Sequence, residues 1–544
     1  MLLALGSTFL ACLLSGCGSS TNGSPTGNPS PAPTQTPSTI DVVTYHYDNM
    51  RTGANTSETL LVPSAVNSSQ FGKLGTFAVD GRVDAQPLYL SNVSLPGKAT
   101  RNVLYVVTEH GSVFAFDADS VSSNNGTPLW MASTQLAGEV PSDDRGCGQV
   151  TPEIGITSTP VIDRGRGAIY VVAVSKDAMG NYFHRLHALD LATGKELFGG
   201  PATITATYPG NGAGSSQGML TFDPARYNER PGLLEVSGTI YTTWGSHCDA
   251  GEYTSWVIAY SADTLRQKSV LNLVPNGSEG GIWMAGTAPA ADAAGNIYLI
   301  NGNGTFDTAL TSSGFPASGD CGNCFVKLSS GPLQLLDYFT PSNTVGLSDS
   351  DADLGSGGPL LLPDLVDATG TTRHLAVFSG KGNTNIFVAD LDNMGKFSPN
   401  ANNLYQLLPG AIPAGGEFGK PSYFNNTVYY GAVGDSLKAF PMTSGKLSPT
   451  PSSQSVNQFP YPGTTPCISA NGSANGIVWA VENGNTAVLH AYDSTKLGSE
   501  LYNSNQAAGG RDQFAGNKFI TPMVANGRVY VGTPNGVAVL GLFQ

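Results

Sequence analysis

The chain reads as an all-β protein, an eight-bladed β-propeller of four-stranded antiparallel blades with seven as the alternative count, and three observations predict it. The first is composition. In 544 residues there are 68 glycines and 35 prolines, with 40% hydrophobic and only 12% charged residues, which describes many short buried strands joined by turns. The second is that no helical period extends beyond a few turns. The third is a repeat running from Asp84 onward. It has a proline-marked strand opening, a turn, a strand with an aromatic and small residues, a glycine-bearing turn, and another alternating strand.

The openings end at Pro87, Pro160, Pro231, Pro289, Pro359, Pro421, Pro466 and Pro522, one per blade. The second strands read NVLYVV, GAIYVV, GTIYTT, GNIYLI, RHLAVF, NTVYYG, GIVWAV and GRVYVG. They place Tyr105, Tyr170, Tyr241, Tyr298, Tyr429, Trp479 and Tyr530 at matching positions, with Ala376 in the fifth blade. The third strands, such as SVFAFDADS and AVLHAYDST, alternate sides at period two, as strands packed between neighbouring sheets do. The stretch FGKLGTFAVDG at 71–81 precedes the first opening and is available as the outer strand of the last blade, which would close the ring and remove its edges.

Two pieces of the repeat, LHALDLATGK at 186–195 and VFAFDADS at 113–120, resemble the propeller repeat of the pyrroloquinoline-quinone (PQQ) dehydrogenases. They equally resemble that of the outer-membrane assembly lipoprotein sharing their fold. The resemblance covers the chain from about Val83 to its end. It implies the fold, and it leaves function open because unrelated tasks share the scaffold.

At the N-terminus, MLLALGSTFLACLLSGCGSS is a short apolar run ending in Leu14-Ser15-Gly16-Cys17, similar to the lipobox of bacterial lipoproteins. That similarity implies a signal peptide over 1–16 and acylation of Cys17. Gly18 and Ser19 follow with no aspartate, which in that class implies the outer membrane or cell surface. The run is too short to be a permanent span. Residues 17–40, rich in Ser, Thr, Pro, Gly and Asn, read as a tether, and 41–544 as the propeller.

With Cys12 removed and Cys17 acylated, five cysteines remain. Outside the cytoplasm they are expected to pair or be buried. Cys321-Gly-Asn-Cys324 reads as a local disulfide pinning a loop, since no second CxxC completes a metal site. Cys147 and Cys248, in the connections DDRGCGQ and GSHCDAGE, are expected to close on one face, leaving Cys467 as a buried thiol.

A propeller gathers the starts of its innermost strands around one axial channel, so residues just before the openings can converge on a ligand. An acid followed two places later by glycine recurs there: Glu153, Glu279, Asp353 and Glu417. Four carboxylates at one mouth repel unless a cation, a basic ligand, or Arg82, Lys381, Lys420 and Arg511 neutralise them. Local turn capping is the plainer reading of each acid alone. Asp349, Asp351 and Asp353 alternate oxygens suited to a hard cation such as Ca²⁺, although the following glycine is one place late and Leu360 stands at position twelve. Trp283 suits an apolar wall against a planar ligand, with core packing as the alternative. No HxxxH spacing, phosphate loop or GxSxG nucleophile elbow occurs, since the GSSQG at 214–218 is not followed by a helical pattern, so zinc and serine-hydrolase chemistry have no support.

The formal charge of −14 disfavours nucleic acid as a partner. The expected function is an exported, lipid-anchored binding or scaffolding module of the cell envelope. Its expected partners are the membrane through the anchor, and an envelope protein or a small-molecule or polymer ligand. A PQQ- and Ca²⁺-dependent oxidoreductase is the enzyme alternative, and carbohydrate processing a third. The adjacent Cys-Cys pair that PQQ alcohol dehydrogenases place beside their cofactor is missing, which ranks the enzyme second.

Overall fold

Each proline opening leads into the innermost strand of a blade. These strands are Leu88–Val93, Val161–Asp163, Leu234–Val236, Ala290–Ala291, Leu360–Leu361, Ser422–Phe424, Cys467–Asn471 and Met523–Ala525. The computed structural model describes residues 40–121 and 126–543, so the expected signal peptide, Cys17 and nearly all of the tether lie outside the described residues. Around the eight inner strands stand eight antiparallel meanders, the blades of one propeller. Proline ends the connection because it fixes φ and lacks an N–H, and the strand begins where ladder donors are needed.

The repeated tyrosine has a specific purpose. Second strands are buried on both faces, so a phenol there gains from a partner, and most of the repeated tyrosines, Tyr530 excepted, have one. Tyr105 donates to the Leu191 carbonyl, Tyr170 to Ala262, Tyr241 to Ser330 and Tyr429 to Ser494, each acceptor lying just beyond the third strand of the following blade. Tyr298 turns instead to Asp292, and Lys327 reaches Leu391 across that interface.

Phe71–Ala78 pairs antiparallel with Gly536–Leu542, running from Phe71 opposite Leu542 to Ala78 opposite Gly536. The outer strand of blade 8 therefore comes from the N-terminal side, as the sequence predicts, and both ends of the propeller share one sheet.

No repeat or strand pattern in the sequence marks the segment that fills the axis. Residues 42–55 run inside the ring and dock in turn on all eight inner strands, at the second residue of each. Val42 exchanges hydrogen bonds with Tyr89, and the carbonyls of Val43, Asn49, Met50, Thr52 and Gly53 accept from Ile162, Ala291, Leu361, Tyr423 and Ile468. Side chains complete the circle, with Asn49 donating to the Glu235 carbonyl and Asn55 to that of Val524. An inner strand has a free edge toward the axis, and this segment pairs that edge eight times over.

At its centre Arg51 is fully buried. It donates to the carbonyls of Pro289 (2.8 Å) and Tyr45 (2.9 Å) and to the Thr44 hydroxyl (2.6 Å). Lys420, expected at the mouth, is buried beside this segment and donates to the Pro359 carbonyl at 2.8 Å. Burial and the neighbouring Arg51 push its ammonium well below the usual lysine range. Asp41, where the segment begins, bonds Ser91 and Arg164 near the far ends of the inner strands of blades 1 and 2. The chain thus enters the ring from the face opposite the strand openings. Among the described residues no helix is long and apolar enough to cross a membrane.

Candidate ligand cleft at the channel mouth

Above the plug, on the face where the inner strands open, lies an open cleft of about 130 Å³. That is smaller than a typical site for a drug-sized ligand, and its mouth opens directly to solvent. Its wall divides by blade. Trp283, Asp353 and Lys381 come from blades 4 and 5, Phe418 and Tyr461 from blades 6 and 7, and Lys518, Phe519, Gln149 and Arg230 from blades 8, 2 and 3.

In the first sector the indole of Trp283 lies against three glycines. A Cβ at Gly245, Gly281 or Gly302 would come within 3.2, 3.1 or 2.9 Å of an indole atom, so a side chain at Gly302 would force the ring to shift and one at Gly245 or Gly281 would crowd it. The backbone after it is unusual, with positive φ at Met284, Ala285 and Gly286 in succession. Non-glycine residues held there cost free energy that surrounding contacts must offset. Lys381 Nζ bridges Asp351 (2.8 Å) and Asp353 (2.9 Å), and Asp353 also accepts the Asn303 N–H at 2.9 Å. Burial raises the Asp353 carboxyl above its ordinary range despite the lysine. Asn303 Oδ1 is buried with no partner.

The acid motifs do not converge as a set of four. Asp353 lines the cleft. Glu279 is near enough that burial, and then Asp249, Asp353 and Asp351, raise its carboxyl. Glu153 instead pairs with His110 Nδ1 at 2.9 Å and stands outside the cleft lining. Glu417 is buried with both oxygens unpartnered, and burial lifts its pKa to about 8. The shared motif does not impose one backbone conformation, since Glu153 lies in the strand Glu153–Ile154, Glu279 has φ 67 and Asp353 has φ −53, so the carboxylates point in different directions. Asp349 ends the short helix Thr344–Asp349 and does not join Asp351 and Asp353 on Lys381. Among the described residues no three His, Cys, Asp or Glu side chains are grouped as metal ligands.

Of the expected counter-charges, Lys381 meets the acids. Arg82 lines a side pocket that shares Gln149, Arg230, Lys518 and Phe519 with the cleft. Arg511 does not reach the axis. It binds Asp512 and the carbonyls of Ser68 and Phe71 at the outer edge of blade 8.

Cys147–Cys248 and Cys321–Cys324 are disulfides, each with Cα atoms 5.9 Å apart, and Cys467 is a buried free thiol. The first stands at the rim, next in sequence but one to Gln149 and adjacent to Asp249, both of which line the cleft. Arg230, Phe418, Lys518 and Phe519 lie within four residues of a proline opening, so the opening rule finds them once it is read for every residue type rather than for acids alone.

An eight-bladed propeller closed by its own N-terminal strand, plugged along its axis and open at one mixed-charge mouth, has the fold of the quinoprotein dehydrogenases. The chain is similar to quinohemoprotein alcohol dehydrogenase from Comamonas testosteroni (TM-score 0.56, 15% identity, covering 92% of this chain and 80% of that one). Quinohemoprotein alcohol dehydrogenase ADHIIG from Pseudomonas putida HK5 gives 0.58 at 14% identity, covering 93% and 80%. A europium-containing methanol dehydrogenase gives 0.57 at 12%, covering 92% and 98%. No protein-family model matches the chain, and no curated protein matches it in sequence. At these identities the likeness is one of fold.

Proposed function

We propose that this chain is an envelope ligand-binding propeller whose mouth takes a small planar molecule against Trp283. One observation carries the reading. A large aromatic ring packs closely on three glycines beside a charged Asp353–Lys381 pair at the wall of an open cleft. Stacking supplies affinity for a flat ring system and the charged pair orients it. Adding a naphthoquinone should quench tryptophan emission saturably, and Trp283→Ala should abolish that response. Quenching that survives the substitution rules the wall out.

The lipobox-like start assigns Cys17 as the membrane attachment. Mass spectrometry of membrane-extracted protein should find an acylated Cys17, and an unmodified product starting elsewhere removes the anchor from this reading.

A second reading, a quinone-dependent oxidoreductase, has its own support. Asp249 and Asp353 line the cleft, and Asn303, whose N–H bonds Asp353, has a buried Oδ1 without a partner, oxygen types that a hard cation takes beside a quinone. These are donor types suited to Ca²⁺ beside PQQ, which would supply the hydride-accepting chemistry, although among the described residues they are not grouped as a cage. Asp353 would hold or release a proton at its carboxylate under the control of Lys381, and Phe418 and Tyr461 would exclude water. Against it stands the absence of adjacent cysteines. Adding PQQ and Ca²⁺ and recording the bound-quinone spectrum separates it from the first reading.

A further inference from the structure

Three cations line the pockets of this mouth, and the one carboxylate that lines the side pocket with them, Asp84, forms an ion pair with none. Among the ion pairs of the described residues none involves Arg82, Arg230 or Lys518, in a chain of net charge −14. Arg230 is only 7% exposed and lines both the cleft and the side pocket. Its Nη1 meets Gln149 Oε1 at 3.3 Å, while its Nε is buried with no partner. A guanidinium buried so incompletely satisfied costs stability unless something else occupies its donors.

The nearest acids do not supply it. Glu109 is buried, and burial together with Asp84 raises its carboxyl well above the ordinary range, while neither acid comes into an ion pair with Arg230. Asp84 is already held by the Asn517 amide. Lys518 is pushed down by burial and then by Arg230, the signature of like charges facing each other. Between them Phe519, at φ 62, presents its ring 5.6 Å from both cations. A left-handed phenylalanine is strained, and strain of this kind collects at ligand sites.

We propose that Arg230, Lys518 and Arg82 form an oxyanion subsite that takes a carboxylate, so that the ligand of the mouth is an organic acid whose carboxylate lies across the cleft from Trp283. The planar guanidinium suits two carboxylate oxygens, and the lysine adds a point charge. The inference rests on the mouth being a small-molecule site, and it specifies the class of molecule.

Calorimetric titration of the full chain with citrate, succinate and inorganic phosphate tests it. Saturable carboxylate binding is expected, weakened about tenfold or more by Arg230→Gln, the scale of one charge-assisted pair. Arg511→Gln, at the outer edge of blade 8, should leave it unchanged. If Arg230→Gln does not fold, the double change Lys518→Gln with Arg82→Gln, at partly exposed positions, carries the same threshold. No saturable carboxylate binding up to about 10 mM, binding equal in all variants, or binding of phosphate alone each overturns the proposal. Trp283 quenching by an uncharged naphthoquinone keeps the two readings apart. Quenching without carboxylate binding leaves the planar site standing and removes this one, whereas Arg230-dependent citrate binding without quenching does the reverse.

Discussion

Arg51 Nε donates a 2.8 Å hydrogen bond to the Pro289 carbonyl, tying the centre of the N-terminal plug to the proline that opens blade 4, 238 residues later. The same guanidinium also holds the plug's own Thr44 and Tyr45 in place, so one side chain fixes both the segment and its docking.

Arg51→Met should therefore cost on the order of 3 kcal/mol or more, because it strands buried carbonyls that no water reaches. Denaturant unfolding of the two proteins measures it, and a loss under about 1 kcal/mol would show that the plug is dispensable.

Glu417 makes stability depend on pH. Its folded pKa is about 8 against an ordinary 4.5, so the folded state keeps a proton that the unfolded state releases between those values. The contribution is fully present below 4.5 and is lost as pH rises to about 8, at up to roughly 1.4 kcal/mol per unit. Glu417→Gln keeps the shape and removes the titration. The variant should gain on the parent by a few kcal/mol between pH 5 and pH 8. A difference that stays constant with pH contradicts this.

The Cys147–Cys248 disulfide spans 101 residues of sequence. Replacing both cysteines by serine should lower stability by about 3 to 4 kcal/mol through the freed unfolded chain. Because Gln149 and Asp249 flank the bond, ligand binding at the mouth should weaken as well, whereas replacing Cys321 and Cys324, which close only a three-residue separation, should leave it intact. Equal effects of the two pairs on binding would remove the rim disulfide from the site.

Much of the fold was legible because its signals are local. A proline before a strand, a tyrosine in the middle of the next and a glycine at the turn act within a few residues, and their recurrence gave the blade count and even the closing strand at 71–78. The site was legible only in part. Trp283, Asp353 and Lys381 were singled out and do share one wall, but Glu153, Glu417, Lys420 and Arg511 were placed at a mouth that they do not reach. Sequence position brought each near the axis, and the direction of each side chain depended on packing against the neighbouring blade.

The sequence by itself determined the repeat, the blade boundaries and the pairing of strands within each blade, since these follow from alternation and turn chemistry along a short stretch of chain. Only the tertiary structure decided that residues 42–55 fill the axis and that Arg230 and Lys518, 288 positions apart, meet at one cleft beside the Phe519 ring. Closing eight blades into a ring brings inner edges from the whole chain to one line. What those edges then bind, whether the chain's own plug below or a ligand above, is set by distances that no local pattern encodes.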